Sequence, residues 1–190
     1  MISRRLLLIA SASELVWSNA LATTRRGQPA PIPPGYVAMG RMNEVPPAIL
    51  YGVALQESKM LFGEKALPYP WTLNVEKVPM RFKSYEASVA ALRGYVSRGV
   101  NSVDCGLLQV NWGYHHDKLK TFWTAMDPYP NIGVGARLLR SHFVVTRNWF
   151  DAVARYHNAN PTIGVPYAKS VYRHIAEIPL SPVALGGVRG

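Results

Sequence analysis

A single carboxylate within an apolar stripe is the residue best suited to chemistry in this chain. Glu57 lies eight residues after Ile49 and four after Val53, and these spacings place all three on one face of an α-helix. Burial of a carboxyl group without a neighbouring cation raises its pKa, so the group keeps a proton near neutral pH and can act as a general acid. The alternative is a glutamate at the edge of the stripe, paired with a basic side chain such as Lys59.

A second group of polar residues occurs in the segment 104–111, which reads DCGLLQVN. Gln109 and Asn111 offer hydrogen-bond donors and acceptors without carrying charge, which suits sugar hydroxyl and acetamido groups. Gly106 permits a close approach of the backbone. Asp104 is expected in a turn or at a helix cap, and a catalytic role for this second carboxylate would favour hydrolysis. The tryptophans that could stack on sugar faces, each also a typical core residue, are Trp71, Trp112 and Trp149.

The cysteine and the histidines allow other interpretations. Cys105 with a histidine would be the pair of a cysteine peptidase, but a lone cysteine beside a glycine is more typical of a small buried residue. His115 and His116 are adjacent, so their side chains point apart in a helix or a strand, and no His-Glu-x-x-His run occurs. We therefore expect no metal site and no cofactor.

Helices are predicted to position most of these residues. Apolar residues recur every three or four positions after Pro46, as in a helix, until Gly63 interrupts the pattern. Residues 71–75 alternate apolar and polar as in a half-buried strand, and residues 79–82 are expected to return beside them. Further helices are predicted to start at Ser84, Asn131, Asn148 and Pro166. The predicted fold class is mainly α (α+β), a single domain with a small β-hairpin excursion.

Composition and charge limit the class of protein. With 190 residues, 48% of them hydrophobic and 17% charged, the chain fits one globular domain and is neither disordered nor a coiled coil. The single cysteine excludes an internal disulfide framework and any multi-cysteine zinc or iron–sulfur site. The formal net charge of +10 indicates an anionic partner: nucleic acid, a membrane surface or an acidic cell-wall polymer.

The N-terminal residues predict export and so favour the cell wall over nucleic acid. Arg4 and Arg5 form a basic start, residues 6–10 are apolar, and residues 20–22 read Ala-Leu-Ala, which a signal peptidase accepts. A frayed amphipathic N-terminus is the alternative. No other stretch has about 20 consecutive apolar residues, so no further membrane span is expected. We therefore expect the protein to be periplasmic. Its predicted divisions are a signal peptide (1–22), a Pro/Arg-rich linker (23–40), the main domain (41–178) and a C-terminal tail (179–190).

Glu57 and the segment 104–111 together resemble motifs of a known family. Glu57-Ser58 at the end of an apolar helix, followed by Gly-Leu-Leu-Gln-Val-Asn at residues 106–111, resembles the glutamate-serine and GLMQIN-type motifs of the soluble lytic transglycosylase (SLT) catalytic domain. Lys59 follows these two residues where a smaller residue is common in the family. The resemblance implies a lysozyme-like fold.

Three later matches occur in the order that the family has them. Residues 131–139 are similar to the helix that follows the family's first two motifs. Residues 154–157 read Ala-Arg-Tyr-His where the family usually has Ala-x-Tyr-Asn, so His157 replaces an asparagine. Tyr167, followed four residues later by a valine, is similar to a closing Tyr-x-x-x-Val. The matches span residues 46–178, most of the chain.

The resemblance also implies a reaction. Members of the family cleave the β-1,4 bond between N-acetylmuramic acid and N-acetylglucosamine without water and close a 1,6-anhydro ring, using one glutamate as acid and then as base. That glutamate is implied to be Glu57. The residues implied to bind the substrate or to orient Glu57 are Ser58, Gln109, Asn111, Tyr156 and Tyr167. The implied partners are peptidoglycan glycan strands and, from the length of segment 71–82, a conjugation or type IV secretion apparatus.

Two other functions are compatible with the same residues. A hydrolytic, lysozyme-type muramidase would release reducing ends in place of anhydro ends. An SLT-like domain kept as a catalytically silent, wall-binding scaffold would retain the fold, although an intact Glu57 argues against it.

Overall fold

A computed structural model describes residues 27–179. The predicted signal peptide, 1–22, and residues 180–190 of the predicted tail lie outside the described residues. The helices of the described part are α1 (Pro34–Met42), α2 (Pro47–Ser58), α3 (Tyr85–Ser97), α4 (Trp112–Leu119), α5 (Phe122–Met126), α6 (Pro128–Thr146), α7 (Trp149–His157) and α8 (Pro161–Glu177). The strands are β1 (Gln28–Pro29), β2 (Lys59–Phe62), β3 (Lys65–Pro68), β4 (Thr72–Val75), β5 (Val78–Arg81), β6 (Val103–Cys105) and β7 (Val110–Asn111). The predicted mainly α, α+β single domain is confirmed.

The buried helix α2 organises the core. Leu50, Val53 and Leu55 have no exposed surface, and α1 and α8 both pack against this helix. Pro47 begins it, at a position where a missing N–H breaks no helical hydrogen bond. A helix that is apolar on all sides is typical of a domain interior. None of the described helices has the length and apolar character needed to cross a membrane.

Two small sheets flank the helices. In the first, β3 lies between β2, to which it is antiparallel, and β1, to which it is parallel. In the second, the order is β5-β4-β6-β7 and every pair is antiparallel. The predicted strand at 71–75 and its return at 79–82 correspond to β4 and β5, so this hairpin is confirmed. The hairpin of β2 and β3 was not expected from the sequence.

The predicted linker over 23–40 is wrong in its last residues, because residues 34–40 belong to α1. Pro34 occupies the first helical position of α1, which proline favours because its missing N–H would have no helical partner there. Tyr36 in the same first turn is buried, and its ring packs against Tyr51 of α2 with ring centroids 5.0 Å apart. Core packing therefore extends the domain toward the N-terminus.

The helix that carries Glu57 is shorter than the apolar spacing predicted. α2 ends at Ser58, and Lys59 has extended backbone angles, with φ −51° and ψ 133°. Met60 and Leu61 continue the apolar spacing but lie in β2, an edge strand where Leu61 is 52% exposed. Because pairing with β3 replaces the helical hydrogen bonds, Glu57 stands in the last turn of the helix.

Two predicted helix starts are also wrong. Asp127 caps the helix that was expected to start at Asn131, and Asn160 caps the helix that was expected to start at Pro166. Each true start carries a proline directly after the cap, a pattern that the apolar stripe alone does not reveal. The caps that are confirmed, each accepting from a backbone N–H of the first turn, are Ser84 and Asn148.

Candidate active site

Glu57 and Tyr167 form the centre of the site. The Tyr167 hydroxyl donates a hydrogen bond to Glu57 Oε1 over 2.6 Å. The pKa of the Glu57 carboxyl is raised from 4.5 to about 7. Burial is the largest cause, the Tyr167 hydrogen bond acts against it, and the nearby charge of Asp104 adds to it. Burial and the adjacent carboxylate raise the pKa of the Tyr167 phenol well above its usual value, so the phenol keeps its proton and remains the donor. Oε2 is left as the oxygen that can carry the exchangeable proton of Glu57.

Close packing of α2 against α8 brings these two side chains together. Gly52 lies in α2, and a Cβ at this position would be 2.5 Å from Ile175 Cγ1 of α8. Only a residue without a side chain allows this approach of the two helices. Five residues after Gly52, Glu57 meets Tyr167, which is itself largely buried on α8.

Side chains from three helices hold the loop of residues 105–109 in place. Ser58 Oγ of α2 donates to the Leu107 carbonyl over 2.9 Å, and the Tyr156 hydroxyl of α7 donates to the Leu108 carbonyl over 2.7 Å. Asn131 of α6 accepts from the Leu108 N–H and donates to the carbonyls of Cys105, in the loop, and Ala125, at the end of α5. A buried loop must have its backbone groups paired in this way.

Two residues predicted to bind the substrate or orient Glu57, Ser58 and Tyr156, use their hydroxyl groups within the protein. Ser58 is 2% exposed, and its hydroxyl also lies 3.1 Å from the Ala54 carbonyl. This burial is incompatible with the direct substrate contact predicted for Ser58. It is compatible with the other predicted role, orientation of the neighbouring Glu57. Tyr156 lines the cleft, but its hydroxyl proton is already used by the loop. Both residues position the site from within the protein.

The second sheet provides one wall of the site. Asn74, Asp104 and Asn111 are register partners across β4, β6 and β7, so their side chains share one face of the sheet. Asn111 Nδ2 donates to Asp104 Oδ1 over 2.8 Å, and Asn111 Oδ1 accepts from the first turn of α4. Burial raises the pKa of Asp104, and the Asn111 hydrogen bond lowers it. Asp104 is thus a second carboxylate of the site, contrary to the turn or cap role expected for it.

A cleft of about 620 Å³ connects these groups. Glu57 lies at the end of α2, and the sheet row forms one side. Gln109 lines the cleft from a left-handed backbone position, with φ 46°, and its Nε2 donates to the Gly106 carbonyl over 2.8 Å. Three histidines, on α4, α6 and α7, also line the cleft, and burial lowers their pKa values: His115, His142 and His157. The walls therefore present neutral amides and imidazoles to a ligand, with two carboxyl groups among them.

Other candidate residues lie elsewhere. Trp112 packs on Phe122 and Trp149 stacks on Phe143, both against the core, which is their expected structural role. Cys105 has no exposed surface, and burial raises the pKa of its thiol, so a thiolate nucleophile is disfavoured. Within residues 27–179, no group of three or more His, Cys, Asp or Glu side chains could hold a metal ion.

Sequence reasoning missed part of the cleft. Asn74 lines it from β4, where asparagine is unusual because its side chain competes for backbone hydrogen bonds; this rarity is a signal that could have marked it. Tyr114, 82% exposed, and His142 also line the cleft. No local pattern marks these two residues, because only the packing of α4 and α6 brings them to the site.

Neither family models nor curated proteins nor solved structures match the chain. What the site can do therefore follows from its own geometry and chemistry.

Proposed function

We propose that this protein is a lytic transglycosylase that cleaves the β-1,4 bond between N-acetylmuramic acid and N-acetylglucosamine in peptidoglycan. One observation carries the proposal: the Glu57 carboxyl, with a pKa of about 7, opens into a cleft lined mainly by uncharged hydrogen-bonding side chains. An acid that also has to act as a base works best when its pKa is near the working pH. Neutral amides suit sugar hydroxyl and acetamido groups.

The reaction proceeds in two proton transfers. Glu57 gives its proton to the glycosidic oxygen as the bond from that oxygen to C1 of the muramoyl sugar breaks. The substrate's acetamido group stabilises the cationic C1, as in substrate-assisted glycosidases. The C6 hydroxyl of the same sugar then attacks C1, and its proton returns to Glu57. The products are a free 4-hydroxyl and a 1,6-anhydro ring, and no water is consumed.

Tyr167 supports both steps through its hydrogen bond to Glu57 Oε1. The bond stabilises the carboxylate that exists between the two transfers and keeps the carboxyl group in one orientation. Gln109 and Asn111 are the predicted sugar contacts that line the cleft; Asn111 uses one N–H for Asp104 and has a second available.

Asp104 favours a second candidate, a hydrolytic muramidase. This carboxyl lines the same cleft as Glu57, and a pair of carboxyl groups usually provides the catalytic groups of glycoside hydrolases. The row of Asn74 and Asn111 on either side of Asp104 would hold it in place for such a role. The two candidates differ in their products, since hydrolysis leaves a reducing N-acetylmuramic acid and transglycosylation leaves the anhydro sugar.

The test is digestion of purified sacculi followed by mass spectrometry of the soluble products. We expect the wild-type protein to release anhydro-muropeptides and Glu57→Gln, which keeps the size of the side chain, to release none. The matched control is Glu64→Gln, an exposed glutamate in the turn between β2 and β3, which should cleave like the wild type. Thermal unfolding of both variants checks that they are folded.

Other outcomes would redirect the assignment. Reducing ends in place of anhydro ends would favour the muramidase, and loss of cleavage in Asp104→Asn would then support its second carboxylate. Cleavage by Glu57→Gln at the wild-type rate would contradict both mechanisms. A folded wild type that binds sacculi without cleaving them would favour the silent wall-binding scaffold.

The cellular setting follows from the same proposal. Export through residues 1–22 would deliver the protein to the periplasm, where the net charge of +10 favours contact with the acidic wall. Local opening of the wall would serve a secretion or conjugation apparatus.

A further inference from the structure

His157 is stacked on the tyrosine that contacts Glu57. The imidazole and the Tyr167 ring lie 4.3 Å apart between centroids, with only 4° between their planes. The Tyr167 hydroxyl in turn donates to Glu57 Oε1 over 2.6 Å. Glu57, Tyr167 and His157 thus form a continuous row from α2 through α8 to the end of α7.

The position of His157 is fixed by the helix that carries it. His157 is the last residue of α7, which packs closely against α8, and Tyr156 before it anchors this end of α7 to the Leu108 carbonyl. The imidazole is exposed on the cleft side and covers the face of Tyr167 on the other. Tyr167 itself is 8% exposed, and the imidazole stacked on its ring is part of what covers it.

A flat ring against a phenol restricts its orientation. A tyrosine hydroxyl donates well only when its ring is turned so that the O–H points at the acceptor, and hydrogen bonds weaken steeply away from that geometry. Aromatic rings favour offset-stacked contact, so the stacked imidazole limits the rotation of the phenol. Asparagine, a short amide, offers no comparable flat surface.

We propose that His157 is a positioning residue, which by stacking holds the Tyr167 phenol in the orientation that donates to Glu57. The inference rests on the proposed catalytic role of Glu57 for its effect on rate, but the effect on the Glu57–Tyr167 pair exists whether or not the protein cleaves glycan. His157 acts through Tyr167 and transfers no proton to the substrate.

The first experiment measures the pair directly. The pKa of Glu57 is followed by NMR in protein labelled with ¹³C at the glutamate carboxyl, with Glu57→Gln used to assign the signal. Because the Tyr167 hydrogen bond lowers the pKa of Glu57, Tyr167→Phe should raise it. His157→Asn should also raise the pKa of Glu57. His157→Phe, which keeps a flat ring, should leave this pKa near the wild-type value.

A double variant tests whether His157 acts through Tyr167. In the Tyr167→Phe background no phenol hydrogen is left to orient, so adding His157→Asn should not move the pKa of Glu57 further. An equal shift of the pKa in both backgrounds, or no shift in His157→Asn alone, would overturn the proposal. Each result is obtained without any cleavage assay.

The second experiment uses the rate of anhydro-muropeptide release. We expect His157→Asn to lower kcat by about fivefold to tenfold with KM within about twofold, and His157→Phe to recover most of kcat. A rise in KM with kcat unchanged would instead make His157 a substrate contact and overturn the positioning role. The control is His116→Asn, an exposed histidine on α4 outside the cleft lining, which should behave like the wild type.

The two experiments separate the two proposals. A wild-type protein that cleaves no glycan removes the proposed function, and the titration still decides whether His157 holds Tyr167. A cleaving wild type with unchanged titration in His157→Asn removes the positioning role alone.

Discussion

Glu57 owes its pKa to opposing influences on one carboxyl group. Burial and the Asp104 charge favour the protonated form, and the Tyr167 hydrogen bond favours the carboxylate. The balance near a pKa of 7 means that neither form is strongly disfavoured at neutral pH. A group in this state can give up a proton and take one back without a large change in its surroundings.

This balance predicts how stability depends on pH. The folded protein binds the Glu57 proton more tightly than the unfolded chain, so the stabilising contribution is complete below about pH 4.5 and is lost as pH rises through about 7. Glu57→Gln lacks this loss. The free energy of unfolding of Glu57→Gln, relative to that of the wild type, should therefore rise by up to about 3 kcal/mol as the pH is raised from about 4.5 to about 7.

Urea unfolding of the wild type and Glu57→Gln at about pH 4.5 and about pH 8 measures this difference. Glu64→Gln, at an exposed position in the turn between β2 and β3, is the control for this comparison. A constant difference between the wild type and Glu57→Gln would mean that Glu57 has an ordinary pKa.

The role of single residues was only partly readable from the sequence. Helical spacing placed Glu57 on a buried face, because residues at intervals of four share one side of a helix. The same reasoning could not tell that Ser58, the next residue, turns away from the cleft toward the Leu107 carbonyl. Its partner is 49 residues away along the chain, and no local pattern encodes that contact.

Contacts with several helices stabilise the loop of residues 105–109 in the site. Gly106 adopts a left-handed backbone with φ +69°, and a Cβ there would lie 2.8 Å from Asn131 Cγ. Asn131 is 1% exposed and bridges the loop to the end of α5 through the Ala125 carbonyl. Asn131, which was predicted to cap a helix, therefore supports this loop from inside the protein.

Asn131→Ala should destabilise the protein by about 3 kcal/mol or more. The substitution leaves the Leu108 N–H and the carbonyls of Cys105 and Ala125 buried without their partner. Urea unfolding measures the loss. Asn101→Ala, at an exposed position, is the matched control and should change stability by less than about 0.5 kcal/mol. Equal effects of the two substitutions would contradict the supporting role of Asn131.

Elements with a strong local signal were predicted, and those stabilised by packing were not. The β4–β5 hairpin follows from alternation, and the Ser84 and Asn148 caps follow from side-chain chemistry. The β2–β3 hairpin continues an apolar spacing of helical type, so its strands had no distinguishing pattern. α1 likewise follows a proline-rich segment and is stabilised by the burial of Tyr36 against α2.

The charge of the whole molecule bears on how it would meet its substrate. Lys and Arg outnumber Asp and Glu by 21 to 11, while the cleft itself holds two carboxyl groups and neutral side chains. Attraction to an acidic polymer would therefore come from the general surface rather than from the cleft. Such attraction raises the rate of encounter and is screened by salt.

Binding to intact sacculi should weaken with salt. We expect inactive Glu57→Gln to bind several-fold less tightly in about 500 mM than in about 50 mM NaCl, measured by co-sedimentation. Uncharged N-acetylglucosamine oligomers, which engage only the cleft, should bind with little dependence on salt. Sacculus binding that is equally tight at both concentrations would show that surface charge does not contribute.

The linear order of residues was enough to predict a basic, mainly helical domain with one carboxyl group on a buried helix face. These properties depend on composition and on spacing within a single element, and both are local. Contacts between distant elements supplied the rest: the Tyr167 hydrogen bond to Glu57, the Asn74–Asp104–Asn111 row, and the His157 ring on Tyr167. Burial, strand register and hydrogen-bond partners arise only when the chain packs, so no stretch of neighbouring residues contains them.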